Sequence, residues 1–267
     1  MSNDLDTPAP RDDETEDYPW QYGAEIRQAY WEQVGTTSTV AFFGPTNGPA
    51  SPWPGKAENY TPVWLEDSTV ITTDGMSSPW SDAGDPGEGL EYYIDSPRLR
   101  GAALEELQAS WELELLIRVA STFAGQGYRA TFDHYGCLTL RVPEVDVPAD
   151  WLDEDGNFCL LLGAPAVLRS DYIEMYSDPQ AVRLIALTPL RPDEIAWVMS
   201  NGDRTAAGRA LADTEYRNQV RLDRPSLLGD IQAAAAPAAE PAAGPSAEPV
   251  AEPAVEPAGE SAAAPGA

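Results

Sequence analysis

His134, Cys137 and Cys159 are the chain's only imidazole and its only two thiols, and they bound the chemistry it can perform. One histidine excludes sites that need two, including the H-E-x-x-H metalloprotease helix and the three-histidine zinc centre. Together the three residues supply three zinc ligands at most, at a spacing that matches no closed four-ligand pattern. Cys137 as a nucleophile beside His134 has no basic neighbour in this acidic sequence to lower its thiol pKa. Both cysteines fall in extended segments and read as buried thiols that pack as small hydrophobes. The chain has no G-x-S-x-G elbow, P-loop or dinucleotide fingerprint. Gly84-Asp85-Pro86-Gly87-Glu88-Gly89 is glycine-rich, but it precedes a strand and offers a phosphate no helix N-terminus. Asp153, Glu154 and Asp155 before Gly156 read as a solvated turn, because the ligand spacing of a calcium loop is absent. No cofactor and no metal are expected.

The remaining candidate is a turn. Thr69-Val70-Ile71-Thr72-Thr73 is a β-branched run that favours a pleated strand. Asp74-Gly75 then supplies a positive-φ residue, so the strand ends in a tight turn that presents Met76, Ser77 and Ser78. Trp53, Trp64 and Trp80 flank the neighbouring loops, where they read first as core or loop packing and, if exposed, as anchors for a partner. Asp74, Gly75, Met76, Ser77 and Trp80 are therefore the candidate partner-binding residues. Asp74 or Glu91 would serve equally in a carboxylate enzyme without histidine, and a scaffold tethered through its tail is a third class.

The elements that must hold this turn follow from periodicity. Glu25 to Val34 predicts a short helix, and Val40 to Phe43 a short strand before a Gly/Pro-rich loop. A long loop then carries Trp53 and Tyr60. Leu90 to Ile94 alternates as a strand that Pro97 ends. Ala103 to Ala124 predicts one long helix with Leu107, Trp111, Leu115 or Leu116, Val119, Ala120 and Phe123 on its apolar stripe, stopped by Gly125 and Gly127. Tyr128 to Phe132 and Gly136 to Val142 read as extended. Phe158 to Leu162 and Val182 to Leu187 read as strands, the first buried on both faces. Pro192-Asp193-Glu194 opens a helix whose buried side is Ile195, Val198 and Met199, and Asn201-Gly202 closes it. Thr205 to Thr214 forms a last short helix. Trp111 and Trp197 fall on helix stripes and are expected in the core. Strands on both sides of a central helix, without strict β-α-β alternation, predict an α+β domain with a mixed sheet packed by helices.

The formal charge is −28, from 44 acidic and 16 basic residues. Residues 1–19 contribute −6 and the tail −5, which leaves −17 for the middle of the chain. Such a field disfavours nucleic acid and anionic membranes, which need clustered Lys or Arg, and it speeds capture of basic partners. Residues 1–19 read as a disordered acidic segment, 20–231 as the folded domain, and 232–267 as a disordered Ala/Pro/Glu-rich tail with proline at every fourth position from Pro237 to Pro257. Lys56 is the single lysine, a composition typical of GC-rich bacterial genomes. With no membrane-length apolar stretch, no signal-peptide pattern and two cysteines, the expected compartment is the reduced cytoplasm.

Several segments, taken in order, resemble the Suppressor of Fused domain family. Val70 to Ser77 is similar to its strand running into a Gly-Met-Ser turn, and Leu90 to Pro97 to the strand that follows. Trp111 to Ala124 resembles its long helix. Val182 to Leu187, Thr188-Pro189-Leu190 and Asp193-Glu194-Ile195 to Gly202 resemble its late strand, Pro-rich step and short helix, and Asp223-Arg224-Pro225-Ser226 its closing segment. The match spans Thr36 to Leu228. It departs in the long acidic loop between Met76 and Leu90 and over His134 to Pro165. The resemblance implies a mixed α/β fold, no enzymatic chemistry and a role in holding a protein partner. In the bacterial branch it implies an immunity protein that neutralises a toxin domain encoded beside it.

Overall fold

The β-branched run is strand β4 (Thr69–Thr73), buried at all five positions, because it lies inside the sheet and is covered on both faces. The computed structural model describes residues 18–45, 51–54, 56–80, 87–166, 170–174 and 181–236. Around β4 stand α1 (Tyr18–Val34), β1 (Thr36–Thr37), β2 (Phe42–Phe43), β3 (Asn59–Trp64) and β5 (Leu90–Ser96). Next come α2 (Leu104–Gln108), α3 (Trp111–Phe123), α4 (Arg129–Tyr135), β6 (Leu138–Pro143), β7 (Asn157–Leu162) and β8 (Tyr172–Ile173). The chain then forms β9 (Val182–Leu190), α5 (Pro192–Asn201), α6 (Arg204–Asp213) and α7 (Leu228–Ala235).

The sheet order is β1-β3-β4-β5-β9-β7-β6, with β2 also paired to β3 and β8 to β9. Among the described residues the one parallel pairing is β5 with β9, and the remaining pairs are antiparallel. A parallel pair needs a long crossover, and the chain between β5 and β9 supplies it with α2, α3, α4 and the β6–β7 hairpin. β9 is long enough to serve two partners along one side, β8 at Val182 and Arg183 and β7 from Leu187 to Leu190. This is an α+β domain on a mixed sheet, as the sequence predicts.

Successive residues of a strand face opposite ways, so adjacent β5 tyrosines enter different layers. Tyr92 joins Ile71, Ile94, Leu116, Val119 and Phe123 beneath α3. Tyr93 joins Val63, Val70, Leu184 and Trp31 of α1 on the other face. A third cluster packs α5, α6 and α7 on Cys159, Leu161 and Leu190.

Several elements differ from expectation. The helix over Ala103 to Ala124 is two, since Ser110 accepts from Leu113 N and donates to Leu107 O, capping α3 and breaking the run. Tyr128 to Phe132 is not extended: α4 forms there between Gly127 and Gly136, both at positive φ. Tyr60 belongs to β3, not to a loop. Met199 is 52% exposed, so the buried side of α5 is Ile195 and Val198, joined by Glu194. Trp111 and Trp197 are half-buried, packed at the margin of their clusters. α1 starts at Tyr18, and the compact unit ends at Ala235, two residues before Pro237. The remainder of the expected disordered ends, residues 1–17 and 237–267, lies outside the described residues, as does most of the acidic loop after Trp80.

Candidate functional site

The turn after β4 is built around Glu91, a fully buried carboxylate on β5. Gly75 has φ of +139°, a conformation open to glycine but not to a side chain with Cβ. The bend it makes aims backbone donors inward. Glu91 Oε1 accepts from Gly75 N at 3.1 Å, Ser77 N at 3.0 Å and Ser77 Oγ at 2.6 Å, and Oε2 accepts from Thr73 Oγ1 at 2.5 Å. A buried charge is tolerated when its lone pairs are taken by donors, and Glu91 meets that condition.

Arg27 closes the cluster from α1. Its Nε donates to Asp74 Oδ1 at 2.6 Å, Nη1 to Ser77 Oγ at 3.2 Å and Nη2 to Ser78 Oγ at 3.3 Å, and Nε lies 3.6 Å from Glu91 Oε1. Burial works against the Arg27 charge, but the Asp74 and Glu91 carboxylates outweigh it and raise the guanidinium pKa. Asp74 keeps 30% of its side chain exposed. It lies on a cleft of about 310 Å³ between α1, the β1–β2 connection and the sheet, whose lining includes Gln28, Trp31, Thr37, Thr39 and Thr61.

These positions revise the expectation of an exposed binding loop. Gly75, Met76 and Ser77 are buried, Met76 completely, because the turn folds in over Glu91 and Met76 enters the core beside Trp53 and Tyr60. Trp80 is half-buried, with Lys56 Nζ 5.7 Å from its ring centroid. Of the five candidate residues, Asp74 lies on the cleft described above, and the residue that orients it, Arg27, was missed. A signal for it does exist in the sequence: Gly23, Arg27 and Trp31 recur every fourth residue on the buried stripe of α1, and an arginine there needs a buried partner.

The thiols and the histidine are separated. His134 is exposed on α4 against Tyr135, while Cys137 and Cys159 are buried. Burial pushes the Cys137 thiol up to about 11. Burial and then the Asp153 carboxylate push Cys159 up to about 12. No group of three His, Cys, Asp or Glu is placed to hold a metal among the described residues. The Tyr60 and Tyr92 hydroxyls are buried without a hydrogen-bond partner among the described residues. Their pKa values are raised, first by burial and then by nearby carboxylates.

A larger cleft of about 440 Å³ lies at the other end of α1, where Arg217 faces the same space as Asp67 and Asp95. Its one arginine and two carboxylates sum to one negative charge, as do Arg27, Asp74 and Glu91; what sets Asp74 apart is that its two charged partners are buried, at 3% and 0% exposure. No helix among the described residues is long and apolar enough to cross a membrane. Comparison of the chain with protein-family models, curated proteins and solved structures gives no match.

Proposed function

We propose that this chain is a non-enzymatic protein-binding module of the Suppressor of Fused type, acting in the cytoplasm as an immunity-type protein that captures and neutralises a basic toxin domain. The observation that carries the reading is how its charge is distributed. Arg27 and Arg224 are drawn inward onto the buried carboxylates Glu91 and Glu194, and the half-exposed Arg98 covers the buried Glu112. Glu66, Asp67, Glu105, Glu106, Glu144, Asp146 and Glu154 are left exposed, with no ion pair among the described residues. These pairs are neutral in themselves, so the net negative charge is carried by the remaining carboxylates, the exposed ones among them. An acidic surface accelerates association with a basic protein and disfavours nucleic acid.

The test is co-expression with the toxin domain encoded beside the gene. Cells carrying both proteins are expected to grow, and the purified pair to associate with an on-rate that falls steeply with salt. Equal killing with and without this protein overturns the reading.

A further inference from the structure

We propose that the cleft over Asp74 receives one arginine side chain of the protein partner, with Asp74 as the carboxylate that meets its guanidinium. The proposal rests on the reading of the chain as a binder of basic proteins and names the contact by which it binds.

Charge comes first. Arg27, Asp74 and Glu91 sum to one negative charge, and Arg27 and Glu91 are 3% and 0% exposed. Asp74 is therefore the member of the node through which that charge reaches a ligand. Its Oδ1 is held by Arg27, and its Oδ2 has no partner among the described residues. The carboxylate is fixed in place with one oxygen left to accept. Three of the five Arg27 donors are taken by Asp74, Ser77 and Ser78 and its side chain is 3% exposed, so among the described residues the cleft presents no exposed cation to an anion.

Shape and lining narrow the ligand further. Thr37, Thr39 and Thr61 line the cleft, and none of their hydroxyls makes a hydrogen bond among the described residues. Guanidinium carries five donors in a planar fork and stacks on aromatic faces, whereas a lysine ammonium is a compact, strongly hydrated point charge. Several dispersed acceptors with Trp31 in the wall suit the fork better. The volume of about 310 Å³ sits at the small end of ligand clefts and fits one side chain rather than a nucleotide.

The test titrates the full chain with N-acetyl-Gly-Arg-Gly-amide and with the same peptide carrying citrulline, which has nearly the shape of arginine but no charge. Binding is followed by NMR shifts of the Trp31 indole. The arginine peptide is expected to bind about tenfold more tightly than the citrulline peptide, as one desolvated charge pair allows. That preference should disappear in Asp74→Asn, which keeps an acceptor for Arg27. It should also disappear in Ala41→Phe, since Ala41 lines the cleft and a larger side chain there fills it while Arg27 and Asp74 both remain. Equal affinity for the two peptides, no arginine binding at millimolar peptide, or an unchanged preference in Ala41→Phe overturns the proposal. The assay needs no toxin, so failure here with cells still protected removes the cleft and leaves the immunity reading. Arginine capture without protection retains the cleft and removes the immunity reading.

Discussion

Arg224 donates through both terminal nitrogens to the two carboxylate oxygens of Glu194, each at 2.6 Å, and the side chains are 2% and 0% exposed. The same carboxylate accepts from the backbone N–H of Arg191 and of Leu227. Arg224 also donates to Pro189 O and Pro225 O. The pair thus ties the first turn of α5 to the segment leading into α7. Trp151 lies against two guanidinium groups, with Arg191 4.4 Å and Arg224 5.1 Å from its ring centroid.

Breaking this pair leaves a buried charge alone. Glu194→Ala and Arg224→Ala are each expected to lower stability by about 3–5 kcal/mol. Arg224→Lys should recover little of it, because lysine cannot form the fork. Denaturant unfolding followed by tryptophan fluorescence reads the change, and losses under about 1 kcal/mol would place the pair among ordinary surface bridges.

Glu91 organises the turn through charge as well as hydrogen bonding. Glu91→Gln removes the charge and sets an amide against Thr73 Oγ1 or the turn's N–H groups. Weakening bonds to a buried charge costs about 1.5–3 kcal/mol each. Native-state hydrogen exchange should show the Gly75 and Ser77 amides losing protection while β9 keeps its own; unchanged protection at the turn contradicts the assignment.

Both thiols are expected to resist reagents in the native protein. With Cys137 held up at about 11 and Cys159 at about 12, the thiolate fraction near pH 8 is very small and access is blocked. Thiol titration with a disulfide reagent should show two slow groups that become fast on unfolding. A fast native group would identify a reactive cysteine after all.

Asp153 predicts acid sensitivity. Burial opposes its charge, but the backbone N–H groups of Asn157 and Asp155, then Arg141, outweigh this and lower its pKa below the ordinary 3.8. A carboxylate with a depressed folded pKa adds stability above its unfolded pKa and loses it as pH falls through the folded value. The stability difference between wild type and Asp153→Asn should therefore be constant above pH 3.8 and shrink below it. A difference that grows on acidification reverses the sign and refutes the assignment.

What was legible in sequence was local. The β-branched run of β4, the alternation of β5, the apolar run of β7 and the proline–acid opening of α5 each depend on the conformational preferences and spacing of a few neighbouring residues. The glycine at Gly75 could be read for the same reason, since positive φ is a property of one residue. What required the tertiary structure was the environment of the turn. Ser77 and Gly75 were readable as loop residues, but Glu91 and Arg27, brought in from another strand and a helix, pull that loop inward. Likewise the burial of Glu112 and Glu194 depends on Arg98 and Arg224, 14 and 30 residues away. The amino-acid sequence by itself determined an acidic α+β chain and the existence of a turn at Asp74. Only the tertiary structure decided that the turn is interior and that Asp74 faces a cleft, because charge partners distant in sequence meet only when the sheet and α1 come together.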